Sequence, residues 1–189
     1  MSKTTFVISA FPGCGKSYCF NHYNGEDLKI LDSDSSQFSW IKDENGNNTK
    51  ERNPEFPDNY IRHIKENIGK VDIIFVSSHK IVRDALLENN IRTILIYPYK
   101  HCKDEWIERF RKKGNNEKFI TFISDNWDNF IDEMDAIDCD LGKFRGTSDL
   151  IFHKIRKEKL HSNQYINKNY LYLLTDNSMG NLSCLWAAN

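Results

Sequence analysis

One short segment, AFPGCGKS at residues 10–17, constrains this chain more than any other feature. It matches the phosphate-binding pattern G-x-x-x-x-G-K-[S/T] at Gly15, Lys16 and Ser17, with Ala10 in place of the first glycine. An apolar, β-branched run precedes it and a helical pattern follows it. In that context the backbone N–H groups of such a loop surround an anion at the start of a helix. The segment therefore predicts a strand, a phosphate-binding loop and a helix in this order.

Short apolar runs alternate with helical patterns over residues 4–99. The runs 4–10, 28–34, 71–78 and 91–99 are β-branched, as buried parallel strands are, and a segment of helical character follows each. This order predicts an α/β fold with three layers and a mainly parallel sheet. From Glu117 onward apolar residues recur every three or four positions, which predicts one long amphipathic helix packed on the core. Its stripe consists of Ile120, Ile123, Trp127, Phe130, Ile131 and Met134.

The length of the chain allows one substantial core. With 189 residues, 39% of them hydrophobic, we expect a single domain over residues 1–155 and a C-terminal extension over 156–189. The pattern does not define the structure of the extension, although NYLYLL within it is a candidate strand. The polar, turn-rich segment 43–57 predicts an insertion on the loop side of the sheet.

Charge and cysteine usage limit the class of protein. The chain has 26 Lys and Arg against 27 Asp and Glu, so no global basic field attracts long nucleic acid, and only a local basic patch stays open. The residues MSKTTFVISA show no basic leader or cleavage pattern, so we expect no targeting segment, and no stretch of about eighteen apolar residues occurs. Five cysteines without C-x-x-C pairing suit reduced thiols, and we assign them no metal. We expect a cytoplasmic protein, in the host cytoplasm if it is viral, without a membrane partner.

The loop residues predict a nucleoside triphosphate site. Gly13 and Gly15 let the backbone approach the phosphates. Lys16 reaches the β and γ phosphates, and Ser17 places its hydroxyl on Mg²⁺. Alanine fits at position 10 unless φ must be positive there, and the alternative is an ordinary glycine-rich turn. We predict ATP and Mg²⁺ as cofactors, with the cofactor-binding residues Pro12, Gly13, Cys14, Gly15, Lys16, Ser17 and Tyr18.

The use of the γ-phosphate depends on residues elsewhere. The run 71–78 ends without an acid that would hold Mg²⁺ for hydrolysis, and no N-K-x-D guanine-reading motif occurs. Asp32 and Asp34 end the second strand, which we expect beside the first. There a carboxylate takes the proton from an attacking hydroxyl or holds hydrated Mg²⁺. We assign both aspartates and Lys16 to catalysis, and Asp34 with Ser17 to the metal. The alternative is an Asx turn leaving the strand.

Three features together resemble the small P-loop kinases: the loop AFPGCGKS, the acidic end of the second strand, and the later basic helix DEWIERFRKKG. The chain is similar to nucleoside monophosphate kinases and polynucleotide 5′-hydroxyl kinases, and especially to phage-type relatives that include 5-hydroxymethyluracil DNA kinases. The resemblance covers roughly residues 4–150 and departs at Ala10 and at the insertion after the second strand. It implies a phosphotransferase with a helical lid, at about residues 100–116, that brings arginine or lysine onto the transferring phosphoryl group.

The basic helix has two interpretations. Arg109 and Lys113 are our choices for catalytic lid residues, since a phosphoryl group in transit carries negative charge. Arg111 and Lys112 belong to the same basic run. Alternatively the basic residues are the solvated face of a surface helix whose apolar stripe packs inside. That stripe consists of Trp106, Ile107 and Phe110.

The acceptor is the least defined part of the prediction. Arg52, Arg62 and Arg83 are candidate substrate-binding residues for an acceptor phosphate, with His63 and Lys65 as further candidates; each is otherwise a surface charge. A hydroxyl acceptor profits from a nearby carboxylate, whereas a monophosphate presents an oxygen that is already anionic. The aspartates therefore favour a hydroxyl, such as that of 5-hydroxymethyluracil in DNA. A nucleoside monophosphate kinase and a non-catalytic nucleotide-sensing module are the alternatives.

Overall fold

The computed structural model describes residues 4–22, 28–138 and 143–146. The elements in chain order are β1 (Phe6–Ala10), α1 (Lys16–His22), β2 (Ile30–Asp32), α2 (Ser36–Ser39), β3 (Trp40–Lys42), β4 (Asn48–Arg52), α3 (Asp58–Asn67), β5 (Ile73–Ser77), α4 (Lys80–Glu88), β6 (Thr93–Pro98), a 3₁₀ turn (Lys100–Cys102), α5 (Lys103–Lys112), α6 (Glu117–Asp125), α7 (Trp127–Ala136) and β7 (Lys143–Gly146). Within these ranges, no helix has the length and apolar character needed to cross a membrane.

Five strands form the main sheet in the order β2-β5-β1-β6-β7, and each neighbouring pair runs parallel. The α/β class and the mainly parallel sheet predicted from the sequence are confirmed. Because all five strands point the same way, their carboxyl ends meet at one edge. Ala10 at the end of the central strand β1 lies opposite Ser77 of β5 and Ile96 of β6.

The predicted position of β2 in the sheet, directly beside β1, is wrong. The second strand was expected beside the first, but β5 lies between them: Ile73 pairs with Phe6 of β1 on one side and with Ile30 of β2 on the other. The physical reason lies in burial. Residues 73–76 of β5 are all buried, as suits an inner strand, whereas the three residues of β2 are only half-buried and suit the edge.

Helices cover both faces of the sheet. Alternate residues of a strand point to opposite faces. Val7 therefore packs with α3 and α4, while Ile8 packs with α5, α6 and α7. The result is three layers, with one apolar cluster on each side of the sheet.

The single long helix predicted from Glu117 is two helices. Asn126 separates α6 from α7, and its side-chain amide donates to the carbonyl of Phe122 at 2.8 Å. A short polar side chain that bonds the backbone in this way favours a helix end over a helix interior. The predicted stripe does pack inside: Ile120, Ile123, Trp127, Ile131 and Met134 are buried, and Phe130 is partly buried.

The insertion after β2 contains an antiparallel pair, β3 and β4, which we call the ribbon (residues 40–52). The Asp43 carboxylate accepts the backbone N–H groups of Asn45 and Asn47 and closes its turn. Neither strand was predicted, because β4 reads NTKER and shows no apolar alternation. β7 was also missed. The candidate strand in NYLYLL, the extension 156–189 and the domain end at 155 lie outside the described residues.

Candidate functional site

The segment 10–17 is a loop that joins β1 to α1 at the carboxyl edge of the sheet. Gly13 and Gly15 have φ values of 83° and 91°, which L side chains rarely adopt, so both positions require glycine. Ala10 ends β1 as a strand residue and does not have a positive φ. The departure from the phosphate-binding pattern therefore leaves the backbone of the loop unaffected.

Helix α5 holds the loop from one side. The indole N–H of Trp106 donates to the carbonyl of Pro12 at 2.9 Å, and the guanidinium of Arg109 donates to the carbonyl of Gly13 at 2.9 Å. A Cβ atom at Gly13 would lie 2.9 Å from Trp106 Nε1 and 3.1 Å from Phe110 Cε1. Gly13 is thus required by the contact with α5 as well as by its φ.

Backbone donors of the loop remain open. The N–H groups of Gly13, Gly15 and Lys16 find no acceptor among the residues that the structure describes. Consecutive unpaired N–H groups in a tight loop form a concave site for an anion. These three amides are the part of the loop best able to bind phosphate oxygens.

Two residues predicted to bind the cofactor shape the loop instead. Pro12 has no N–H, and its carbonyl is bonded to Trp106. The Cys14 N–H donates to the carbonyl of Phe11, and its thiol lies in the core against Ile96. Burial raises the pKa of Cys14 to about 12, so the thiol stays protonated. Ser17 and Tyr18 are exposed at the start of α1.

The Lys16 ammonium lies inside the loop and donates to the carbonyl of Ala10. Burial lowers its pKa; the charge of Lys113 acts in the same direction, and the carboxylates of Asp32 and Asp34 oppose it. The charges of three other residues predicted for catalysis, Asp32, Asp34 and Lys113, thus act on this ammonium. An ammonium in the same loop as three open amides is well placed for a phosphate group.

The two aspartates have different surroundings. Asp34 is exposed, and its carboxylate accepts the Ser36 N–H at 2.9 Å and the Ser36 hydroxyl at 2.8 Å. This is the Asx turn that the sequence left open as an alternative. Asp32 is half-buried, and its carboxylate accepts no hydrogen bond within the described residues. Asp32 is therefore the carboxylate more available to a reacting proton.

His79 is a site residue that sequence reasoning missed. It follows β5, whose end lies beside the end of β1, and its N–H donates to the Ser77 hydroxyl at 3.3 Å. Its imidazole is exposed, but the surrounding protein and the charges of Lys16, Arg52 and Arg83 lower its pKa, against a smaller opposite effect of Asp34. The sequence signal was its position after a buried strand, which had been searched only for an acid.

The predicted lid helix packs on the loop. Its stripe of Trp106, Ile107 and Phe110 is buried, as the surface-helix interpretation required. Arg109 nevertheless contacts the loop, and Lys113 is exposed beside it. Arg111 and Lys112 pair with Glu108, away from the loop contacts. The buried stripe fits the surface-helix interpretation, and the lid roles of Arg109 and Lys113 stay a prediction.

The candidate acceptor-binding arginines lie in different surroundings. Arg52 lies over the Trp40 ring, 4.0 Å from its centre, and acts electrostatically on His79. Arg62 is exposed and faces Glu55 at 3.8 Å, with no contact that places it at the loop.

The structure places Arg83, a further candidate for the acceptor, in two buried contacts. Its side chain is only 8% exposed, and it joins Glu133 at 3.0 Å and the carbonyl of Ser78. A guanidinium buried in two such contacts connects α4 to α7 and has little freedom to bind a substrate.

His63 and Lys65 both make contacts outside the loop. The His63 ring packs on Phe38 with 4.8 Å between ring centres. Lys65 donates to Asn89, which follows the far end of α4, at 2.7 Å. Since α4 starts beside the loop and extends about 13 Å, Lys65 lies at the opposite edge of the sheet.

The residues present fit Mg²⁺ in the way nucleotide sites use it. Within the described ranges, no three His, Cys, Asp or Glu side chains form a metal group. Mg²⁺ at nucleotide sites takes most of its ligands from phosphates and water, with one or two from protein. Ser17 and Asp34 match that requirement, because a hydroxyl and a carboxylate are hard oxygen ligands.

Comparisons of the chain with protein-family models, with curated proteins and with solved structures found no match. A proposal for the function of this chain therefore rests on the chemistry of the loop and of the residues around it.

Proposed function

We propose that this chain is an ATP- and Mg²⁺-dependent phosphotransferase that moves the γ-phosphate to a nucleotide or a nucleic-acid component, with a hydroxyl as the favoured acceptor. The observation that supports this most is the environment of Lys16. Lys16 lies in a loop with open backbone amides, and the charges of Asp32 and Asp34 act on its ammonium. Phosphate-binding donors and a carboxylate for proton transfer are the two parts that such a transfer needs.

The residues have separate roles in this proposal. The amides of Gly13 and Gly15 bind the phosphates, and Lys16 leaves the Ala10 carbonyl to bind the β and γ oxygens. Ser17 and Asp34 would hold Mg²⁺, which would supply positive charge to offset the negative charge of the phosphates. Arg109 and Lys113, in the proposed lid at residues 100–116, stabilise the charge of the phosphoryl group in transit.

Asp32 takes the proton of the acceptor hydroxyl. The acceptor oxygen then forms a bond to the γ phosphorus as the bond from that phosphorus to the bridging oxygen breaks, and ADP leaves. A half-buried carboxylate without a hydrogen-bond donor suits this role better than one that both accepts an N–H and closes a turn.

An acceptor screen with labelled ATP tests the proposal. The acceptors are a nucleoside, its monophosphate and an oligonucleotide containing 5-hydroxymethyluracil, each with wild-type protein and with Lys16→Ala. Label on a hydroxyl, with one ADP released per transfer, supports the proposal. Label only on the monophosphate's phosphate identifies a monophosphate kinase instead. ATP binding without ADP release on any acceptor identifies a sensor, and absence of ATP binding overturns the proposal.

A further inference from the structure

Arg52 and Trp40 form a fixed cationic surface at the base of the ribbon. The two residues face each other in the register of β3 and β4, and the Arg52 guanidinium lies 4.0 Å from the centre of the Trp40 ring. Directly after Arg52, the Asn53 N–H donates to the carbonyl of Ser39 at 3.1 Å. This bond ties the base of the ribbon to α2, which starts two residues after Asp34. The pair therefore lies at the end of β2, on the sheet edge that carries the loop.

Arg52 has no acidic partner within the part of the chain that the structure describes, and its side chain is exposed. The other candidate arginines differ: Arg62 faces Glu55 and Arg83 is bonded to Glu133. A guanidinium over an aromatic ring keeps its N–H donors for other partners, because the contact uses its positive charge. The N–H donors of Arg52 therefore remain open to an anion while the cation lies over the Trp40 ring.

The region around His79 connects this surface to the loop. The charges of Lys16, Arg52 and Arg83 all act on the His79 imidazole, as does that of Asp34. His79 lies next to the end of β1. An anion bound at Arg52 would therefore lie near the end of β2, the strand that ends at Asp32.

We propose that Arg52, which lies over Trp40, binds a phosphate group that the acceptor already carries, so that the acceptor is a nucleotide unit and not an uncharged nucleoside. This rests on the proposed function. Guanidinium groups bind phosphate through two parallel N–H bonds, which gives both affinity and orientation. The phosphate has two sources with the same chemistry: the phosphate of a free mononucleotide and the backbone of an oligonucleotide.

Kinetics with three acceptors test this inference. They are a nucleoside, its monophosphate and a short oligonucleotide containing it, each with wild-type protein, Arg52→Gln and the matched control Arg62→Gln. For the phosphate-bearing acceptors, Arg52→Gln should raise the acceptor KM by about 10- to 100-fold and leave the KM for ATP unchanged. Arg62→Gln should change neither KM. The inference would be overturned if wild type and Arg52→Gln had similar acceptor KM values. It would also be overturned if wild type used the uncharged nucleoside with the same KM as the phosphate-bearing acceptors.

A binding measurement separates this inference from the proposed function. Fluorescence anisotropy of a labelled mononucleotide and of a labelled oligonucleotide is followed with ADP present, so that no turnover is needed. Loss of binding in Arg52→Gln but not in Arg62→Gln supports the inference even if no acceptor is phosphorylated. Equal binding of the two ligands points to a free nucleotide, and binding of the oligonucleotide alone points to a backbone phosphate. No difference in binding between Arg52→Gln and wild type refutes the role of Arg52.

Discussion

The indole N–H of Trp106 donates a hydrogen bond of 2.9 Å to the carbonyl oxygen of Pro12. It joins the middle of α5 to the phosphate-binding loop, and Arg109 adds a second bond one residue further along the loop. With both carbonyls held, the peptide planes at this end of the loop have a fixed direction. The loop therefore takes its shape from α5 as well as from its own glycines.

Gly13→Ala should damage the loop more than the same change at a glycine with equal backbone strain. Both Gly13 and Gly46 have positive φ, but a Cβ at Gly13 would lie 2.9 Å from Trp106 Nε1, whereas one at Gly46 meets nothing within 4 Å. We expect Gly46→Ala to cost about 1 kcal/mol of unfolding free energy and Gly13→Ala about 2–3 kcal/mol, with loss of ATP affinity. Urea unfolding and ATP titration measure both. Equal costs at the two positions would show that α5 does not confine the loop.

Lys16→Ala should remove phosphoryl transfer and keep the fold. Among the described residues, the Lys16 ammonium makes one hydrogen bond, to Ala10, and it belongs to neither apolar cluster. We expect kcat to fall by at least about 10²-fold, as when one donor to a reacting oxygen is removed. Lys80→Ala is the control, because Lys80 is an exposed cation that pairs with Asp84. Circular dichroism should show an intact fold in both. Full activity in a folded Lys16→Ala protein would contradict the proposed function.

Local patterns predicted the parts of this fold that local physics determines. The loop glycines and the buried runs of β1, β5 and β6 were found because φ and burial constrain single residues. The position of β2 in the sheet was not predicted, since it depends on which strands are inner strands. The burial of β5, and not any pattern in β2, decides this. The break at Asn126 was missed because the apolar period continues through it.

The candidate site shows the same division. Lys16 and Asp32 were identified from residue type and position after a strand. Trp106 was assigned only to the core, since no pattern in the sequence shows that an indole N–H points at a carbonyl 94 residues away. The ion pair that joins Arg83 to Glu133 of α7 was not predicted either, because long-range ion pairs leave no local signal.

Lys113→Ala should lower kcat more than it weakens ATP binding. Lys113 is exposed, and its charge reaches Lys16, so its effect should grow as negative charge develops in transfer. Lys112→Ala is the matched control, because Lys112 pairs with Glu108 on the solvated face. Steady-state kinetics with varied ATP give kcat and KM for each. An unchanged kcat in Lys113→Ala would leave this lysine as an ordinary surface charge.

Arg109→Ala should affect both parameters. Arg109 contributes charge near the loop and also holds the Gly13 carbonyl at 2.9 Å. Its removal should therefore lower kcat and raise the KM for ATP, and the double variant with Lys113→Ala should have the lowest kcat. Direct ATP titration separates the binding loss from the loss in rate. If ATP affinity stays at the wild-type value, the bond to Gly13 does not set the shape of the loop.

The imidazole of His79 should report phosphate binding. Partial desolvation by the surrounding protein and the charges of Lys16 and Arg52 lower its pKa. Its NMR titration midpoint should therefore lie below about 6.5 in the free protein. A triphosphate at Lys16 adds negative charge nearby and favours the protonated ring, so the midpoint should rise. His79→Gln assigns the signal by its disappearance. A midpoint that does not move with saturating ATP would place the phosphates away from His79.

Asp32→Asn and Asp34→Asn should separate proton transfer from metal binding. Both substitutions keep the shape of the side chain, and an asparagine at position 34 still accepts the Ser36 N–H that holds the turn. If Asp32 is the base, Asp32→Asn should lower kcat by about 10²- to 10⁴-fold with ATP binding nearly unchanged. Asp34→Asn should raise the Mg²⁺ concentration needed for half-maximal rate, and added Mg²⁺ should restore its rate but not that of Asp32→Asn. Should both variants phosphorylate a nucleoside monophosphate at the wild-type rate, the hydroxyl acceptor is wrong and a monophosphate kinase takes its place.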